Sequence, residues 1–489
     1  MNKDDIFNPK PVLQALPEND SVENGSVKVE ITYCKNNDEC VDTNINTKYL
    51  KRRFKRNLDP GLCEMEIFLN VFEANMTLCL HSRKFKTADI VKDKYNGINV
   101  TVFQEENASV EIPLSTLELE YIVGYVREEP YSSIDGYLIE HHFYGVIYVQ
   151  DHVHYLESSL KKSIDLHVYL EGLKSFIPAG LINQTKNSSC QPKVCELTLV
   201  ADHFFYDEVG KSSLHNTVML MLWHAKEANR FFTMADFDSD GYSDCFGITV
   251  GELTVFTTKN STANLLNENY SQPEDFLKRF SRYNFDGYCL GALFTSRSFV
   301  DLVLGLAWRG TLVPDGVGGA CQSRVRITSD VNPYSFNALF VSLKSKQDQR
   351  IPIRMGVLNF VHEILHSLGA KHDPEPAERE DCTPLDKHFN GRFLMSKFSN
   401  DGHKLNHAIM SPCTKESVNA VLKNSTKLTC LQFPMVENVC GNGFLEKGEE
   451  CDCGTVFMCT ATKSCCSGPE GYGSTPPCAK RNFLKECAS

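Results

Sequence analysis

Val361-His362-Glu363-Ile364-Leu365-His366-Ser367-Leu368-Gly369-Ala370-Lys371-His372-Asp373 sets two histidines four residues apart, a third six further on, and an acid beside the first. Val357, Phe360, Val361, Ile364, Leu365 and Leu368 recur at helical spacing, so the segment reads as an amphipathic helix. Residues four apart on a helix stand one above the other, which lets His362 and His366 present their imidazoles to one metal ion. Gly369 leaves the helical conformation at no steric cost and turns the chain, bringing His372 back as a third ligand. Three histidines leave the fourth tetrahedral position open, which marks a catalytic zinc rather than a closed structural one. Unrelated histidines on a core helix would account for one such residue. They do not account for five specified residues within eleven positions. Glu363 then stands where a general base is needed, able to take the proton of an attacking water and pass it to a leaving amine.

Working outward, the 489 residues are enough for about two to four domains. Apolar residues make up 42% and charged residues 23%, the balance of an ordinary globular protein. The net charge of -12 and the lack of a Lys/Arg stripe argue against nucleic acid as a partner. Twenty cysteines fit an oxidising compartment, and ten Asn-x-Ser/Thr sequons, Asn75, Asn99, Asn187 and Asn260 among them, point the same way. The expected location is extracellular or within the secretory pathway. The start, Met1-Asn2-Lys3-Asp4-Asp5, has no basic region followed by an apolar one, and no apolar stretch is long enough to span a bilayer. The chain is therefore read as an incomplete ectodomain, with a membrane segment belonging to a longer form.

Along the chain, residues 1–56 show little periodicity and end in Lys51-Arg52-Arg53-Phe54-Lys55-Arg56, either a processing site or a solvated charge run. From Glu64 to about Leu170 short β-type runs separated by turn signals dominate, and residues 176–194, rich in Asn, Ser and Pro, read as a loop-like boundary. From Cys195 the pattern becomes α/β. Strands are expected at Glu196–Val200, Phe246–Phe256 and Cys289–Phe294, helices at Leu214–Phe232 and Phe276–Arg282, and an extended segment at Leu304–Trp308. Asp236-Phe237-Asp238-Ser239-Asp240-Gly241 mimics the start of a calcium loop, but Gly247 stands where the bidentate acid would be, so it reads as a helix-to-strand turn. Eight cysteines fall in the last fifty residues, which hold too few large apolar side chains for a core.

The long histidine motif followed by Asp373 resembles the adamalysin/ADAM (a disintegrin and metalloproteinase) group of metzincins. The opening of the tail, Cys440-Gly441-Asn442-Gly443-Phe444-Leu445-Glu446-Lys447-Gly448-Glu449-Glu450-Cys451-Asp452-Cys453-Gly454, resembles that of a disintegrin domain. Asp202-His203-Phe204-Phe205, Asp286-Gly287-Tyr288-Cys289-Leu290, Leu304–Trp308 and Cys382-Thr383-Pro384 look most like the Kuzbanian/alpha-secretase branch, with the TNF-alpha-converting-enzyme relatives close behind.

The resemblance implies an α/β catalytic domain at 191–432, with a mixed twisted sheet and a long active-site helix. A mostly β prodomain at 57–190 would precede it and inhibit it. A disulfide-rich, loop-dominated partial disintegrin domain at 433–489 would follow. It also implies a zinc endopeptidase acting on cell-surface ectodomains, with Met395 packed beneath the metal in a methionine turn and Met410 as the alternative. Disulfides Cys195–Cys289, Cys321–Cys430 and Cys382–Cys413 are implied by position. Calcium is implied at Val439, Asn442, Phe444, Glu446, Glu449 and Asp452, set against acidic residues that merely cap a disulfide-rich turn. One departure stands out: no Arg-rich cleavage sequence precedes Cys195. No Arg-Gly-Asp occurs, so integrin binding through that tripeptide is not supported. Cys190 either caps the zinc with its thiolate or pairs with Cys245.

Overall fold

The computed structural model describes residues 193–431 with short breaks, strands and adjoining residues within 11–172, and parts of 440–481. The basic cluster at 51–56, Cys190 and Cys245 lie outside the described residues. The chain divides into two units. One gathers residues 1–23, 87–118 and 178–434, the other residues 24–86, 119–177 and 435–489. Residues 57–190 therefore contribute to both.

The first unit is built on an eight-stranded mixed sheet. In chain order its strands are β1 (Pro11–Ala15), β2 (Asn99–Phe103), β3 (Ser109–Pro113), β4 (Lys193–Ala201), β5 (Phe246–Phe256), β6 (Leu290–Thr295), β7 (Val303–Trp308) and β8 (Ala338–Ser342). Their spatial order is β1-β7-β8-β6-β4-β5-β2-β3. Pairing is parallel from β8 through β6, β4 and β5 to β2. It is antiparallel where β7 meets β8 and β1, and where β3 meets β2. Central parallel strands are covered on both faces and so read as unbroken apolar runs; every residue of β6 and β8 is buried, as is every residue of the antiparallel β7. β2 joins this sheet through Leu253–Phe256 of β5 opposite Val100–Phe103.

Among the described residues four α-helices accompany the sheet: α1 (Leu214–Thr233), α2 (Pro273–Phe280), α3 (Ile353–Ser367) and α4 (Pro412–Leu422). The Ser213 hydroxyl caps α1 by accepting from the Asn216 N–H. Helix α2 starts three residues before its apolar pattern because Pro273 is preorganised for the first turn. Acids then lie in its first turn and bases in its last, matching the helix dipole. Phe276 and Phe280 of α2 pack with Leu306, Trp308, Phe336 and Phe340 in one core cluster. The Asp236–Gly241 stretch lies between α1 and β5, where the Asp240 N–H donates to the Asp236 and Asp238 carboxylates.

His224 on α1 is fully buried, and its Nδ1 bonds the Leu220 carbonyl at 2.7 Å. Burial pushes its imidazole down to about 4. The unfolded chain binds this proton near pH 6.5 and the folded chain only near pH 4. Stability from neutral His224 is thus complete above the first value and lost as pH falls toward the second. The loss amounts to about 3 kcal/mol. With chelator in both samples, urea midpoints at pH 7 and pH 4.5 should fall further apart for the parent than for His224→Gln. Equal drops would rule this residue out as a source of acid sensitivity.

The second unit holds a ten-stranded sheet whose neighbours are all antiparallel. Leu78, Leu80, Ile122, Ile134, Phe143 and Ile147 form its core. In the tail, Cys440–Cys478, Cys451–Cys466 and Cys453–Cys459 are bonded. Cross-links of this kind replace the core that such a segment cannot build. No helix among the described residues is long and apolar enough to cross a membrane.

Candidate active site

All fifteen residues of α3 are buried, Arg354, Asn359, His362, Glu363 and His366 among them, so the helix is enclosed on its polar side as well as its apolar one. It packs against β7, β8 and α1. The helix stops at Ser367, and Gly369 adopts φ +100°, a left-handed conformation that releases the chain toward His372. The Gly369 N–H bonds the His366 carbonyl and the Ala370 N–H bonds the Leu365 carbonyl, closing the helix end.

These two features bring His362, His366 and His372 together. One nitrogen from each lies within 4.8 Å of the others, and the ring centroids are 4.5, 5.2 and 4.8 Å apart. The inner rings are oriented from behind: Nδ1 of His362 bonds the Leu394 carbonyl at 2.9 Å, and Nδ1 of His366 bonds the Ala370 carbonyl at 2.8 Å. A carbonyl partner fixes Nδ1 as the donor and leaves Nε2 with its lone pair. The Nε2 atoms of all three histidines are buried without a protein partner. Burial holds His362 and His366 well below the usual imidazole range, with the charge of His372 adding to the effect. His372 is pushed down to about 4 by burial and then by Lys397. Neutral imidazoles with free, converging lone pairs are the form a divalent zinc ion requires, so the donor set fits that metal.

Both carboxylate oxygens of Glu363 are also buried and lack a protein partner. Burial alone pushes this carboxyl well above the ordinary range; a cation among the histidines would draw it back toward the carboxylate. Gly305 of β7 makes room for it. A Cβ there would stand 2.5 Å from Glu363 Oε1, and Gly305 is the β7 residue paired with Val341 of β8. Strand β7 thus crosses directly over the acid.

Met395 is fully buried, and its carbonyl accepts from the Asp373 N–H at 2.8 Å. Leu394, which holds His362, accordingly sits in the same turn. Met410 is buried as well, one residue from Ile409, whose carbonyl accepts from the Leu394 N–H. Asp373 accepts from the hydroxyls of Ser411 and Thr414 at the start of α4, tying the third histidine's segment to that helix. Disulfides join Cys195 to Cys289, Cys321 to Cys430 and Cys382 to Cys413. Of the calcium set, Val439, Asn442, Phe444 and Glu446 lie outside the described residues, while Glu449 and Asp452 are described. The sequence reading missed Gly305 as a contact of Glu363, since a glycine in an apolar run carries no local sign of what lies across from it.

The profile of Metallo-peptidase family M12 (Reprolysin_5) matches residues 191–422. Disintegrin and metalloproteinase domain-containing protein 10 of Homo sapiens is 29% identical over 302 residues, covering 60% of this chain and 38% of that protein. The disintegrin and metalloproteinase domain-containing protein 17 homolog of Caenorhabditis elegans is 27% identical over 322 residues, covering 60% of this chain and 46% of its own length. The chain therefore spans less than half the length of these curated relatives. Residues 191–422 thus match Metallo-peptidase family M12 over just under half of the chain, and 60% of the chain is similar to disintegrin and metalloproteinase domain-containing proteins.

Proposed function

We propose that the chain is a zinc-dependent endopeptidase in which His362, His366 and His372 hold the metal and Glu363 is the general base. The carrying observation is the convergence of three buried, partnerless Nε2 atoms beside a buried, partnerless carboxylate. Zinc bound there would lower the pKa of its water from 15.7 to about 7 and polarise the scissile carbonyl. Glu363 takes the proton of the attacking water and returns it to the departing amine. Strand β7 offers its outer edge to an extended peptide by β-addition. A binding protein on the same scaffold would have no use for the acid. Met395 is proposed to pack beneath the ligands without coordinating.

From the family resemblance, the proposed substrates are ectodomains of cell-surface proteins, met outside the cell or in the secretory pathway. Calcium in the segment containing Glu449 and Asp452 is proposed on the same ground. The N-terminal region is proposed as an internal inhibitor that a bound peptide displaces from the outer edge of β7, where β1 lies with Gln14 opposite Gly305.

The test is cleavage of a quenched peptide library by the full chain, before and after dialysis against a zinc chelator. Cleavage should fall to background without metal and return on adding zinc. Cleavage that persists at the parent rate in the metal-free chain would end the zinc reading.

A further inference from the structure

Strand β7 has two different faces. From Gly305 onward, Leu306 and Trp308 join the core cluster with Phe276 and Phe336, whereas Gly305 lies against Glu363. Side chains alternate along a strand, so Ala307 and Arg309 follow Gly305 onto the face turned toward α3. Arg309 directly follows the last residue of β7, and the next residue, Gly310, donates its N–H to the His366 carbonyl at 2.9 Å. The Arg309 charge is felt at the His366 ring, and partial burial pushes its own guanidinium down. Yet among the described residues it forms no hydrogen bond and no ion pair, unlike Arg282, Arg297 and Arg379, which all do. A half-buried guanidinium is costly to leave unpaired, and its five donors match a carboxylate.

Resting on the peptidase reading, the geometry points to Arg309 as a specificity-determining residue that pairs with an acidic side chain of the bound peptide, on the N-terminal side of the cleaved bond.

The β1 pairing supplies the direction and the ruler. It is antiparallel, with Gln14 opposite Gly305, Val12 opposite Ala307 and Pro11 opposite Trp308. A peptide laid on β7 in the same sense has the residue opposite Gly305 nearest the catalytic acid, and its earlier residues run toward Arg309. Opposed residues share a face, so the side chain facing Arg309 belongs to a residue about four positions N-terminal to the one at Gly305. Asp or Glu there forms a charge-assisted pair beside a low-dielectric wall. Lys or Arg there meets a like charge that nothing among the described residues neutralises.

The test compares the zinc-loaded full chain with Arg309→Met, which keeps the aliphatic stem, and Arg309→Glu. Products of a mixed peptide library are read by mass spectrometry. In the parent, acids should outnumber bases by about tenfold at a position three to five residues before the cut, the size of a partly exposed charge pair. The preference should vanish in Arg309→Met, reverse in Arg309→Glu, and shrink in high salt. One profile shared by all three forms overturns the inference while leaving the peptidase reading intact. Absence of cleavage in every form counts instead against that reading. Anisotropy titration with labelled acidic and basic extended peptides then still decides the point, since equal or absent binding of the two by the parent overturns it.

Discussion

Glu363→Ala is expected to cut peptide turnover about a hundred- to ten-thousand-fold while the protein keeps its zinc. The two halves of that result come from different atoms. Metal retention depends on three Nε2 lone pairs, and the carbonyls of Leu394 and Ala370 orient the inner two rings; none of these atoms touches the acid. The Glu363 oxygens have no protein partner, so their removal strands no buried donor, and Ala is the better helix former. Turnover depends on a base placed against the attacking water, which no other described carboxylate of α3 supplies. The fall should therefore appear in kcat with KM little changed. Metal content by atomic absorption and kinetics on one quenched peptide check both parts together. A variant cutting at near-parent rate would remove Glu363 from the chemistry; one that loses its zinc would show the acid to be holding the site together. His366→Ala is the contrasting case, expected to lose metal and turnover alike.

The site was legible because its parts are local. Three histidines, the acid and the turning glycine fall between His362 and His372, and helical geometry over so short a span leaves little freedom. The same holds for β5, whose alternation marks Phe246–Phe256, and for β7, whose apolar run reads as extended. Other features have no local signature. Nothing in Asn99–Phe103 says that it adds to β5 as well as to its hairpin neighbour β3, because parallel pairing joins residues over 150 positions apart. Nothing in Pro11–Ala15 says that it lies along β7. The small shift in α2, from an expected start at Phe276 to Pro273, is of another kind. There the polar first turn hides the helix from a search for apolar spacing, although proline followed by two acids is itself a starting signal.

Loss of either member of the Asp202–Arg297 pair is expected to cost the first unit roughly 3–5 kcal/mol, whereas loss of both should cost much less than the sum. Asp202 follows β4 and Arg297 lies just beyond β6, so the pair joins the ends of two parallel strands. Their side chains are 0% and 4% exposed. The carboxylate accepts from Arg297 Nε at 2.9 Å, from the Thr295 hydroxyl at 2.7 Å and from the Phe205 N–H at 3.0 Å. The guanidinium also donates to the carbonyls of Glu268 and Leu266 and lies 4.3 Å from the centre of the Phe204 ring. Every charged group here is answered, and that is why removing one partner is expensive: Asp202→Asn leaves an uncompensated buried cation, and Arg297→Met an uncompensated buried anion. The double variant leaves neither. Both tryptophans of the chain, Trp223 and Trp308, lie in this unit, so fluorescence during urea unfolding reports it selectively. Urea curves for the parent, the two single variants and the double variant complete a double-mutant cycle. A coupling energy of about 2 kcal/mol or more is expected. Strictly additive losses would mean that the two groups are stabilised separately by their backbone partners, and that the ion pair itself contributes nothing to holding β4 beside β6.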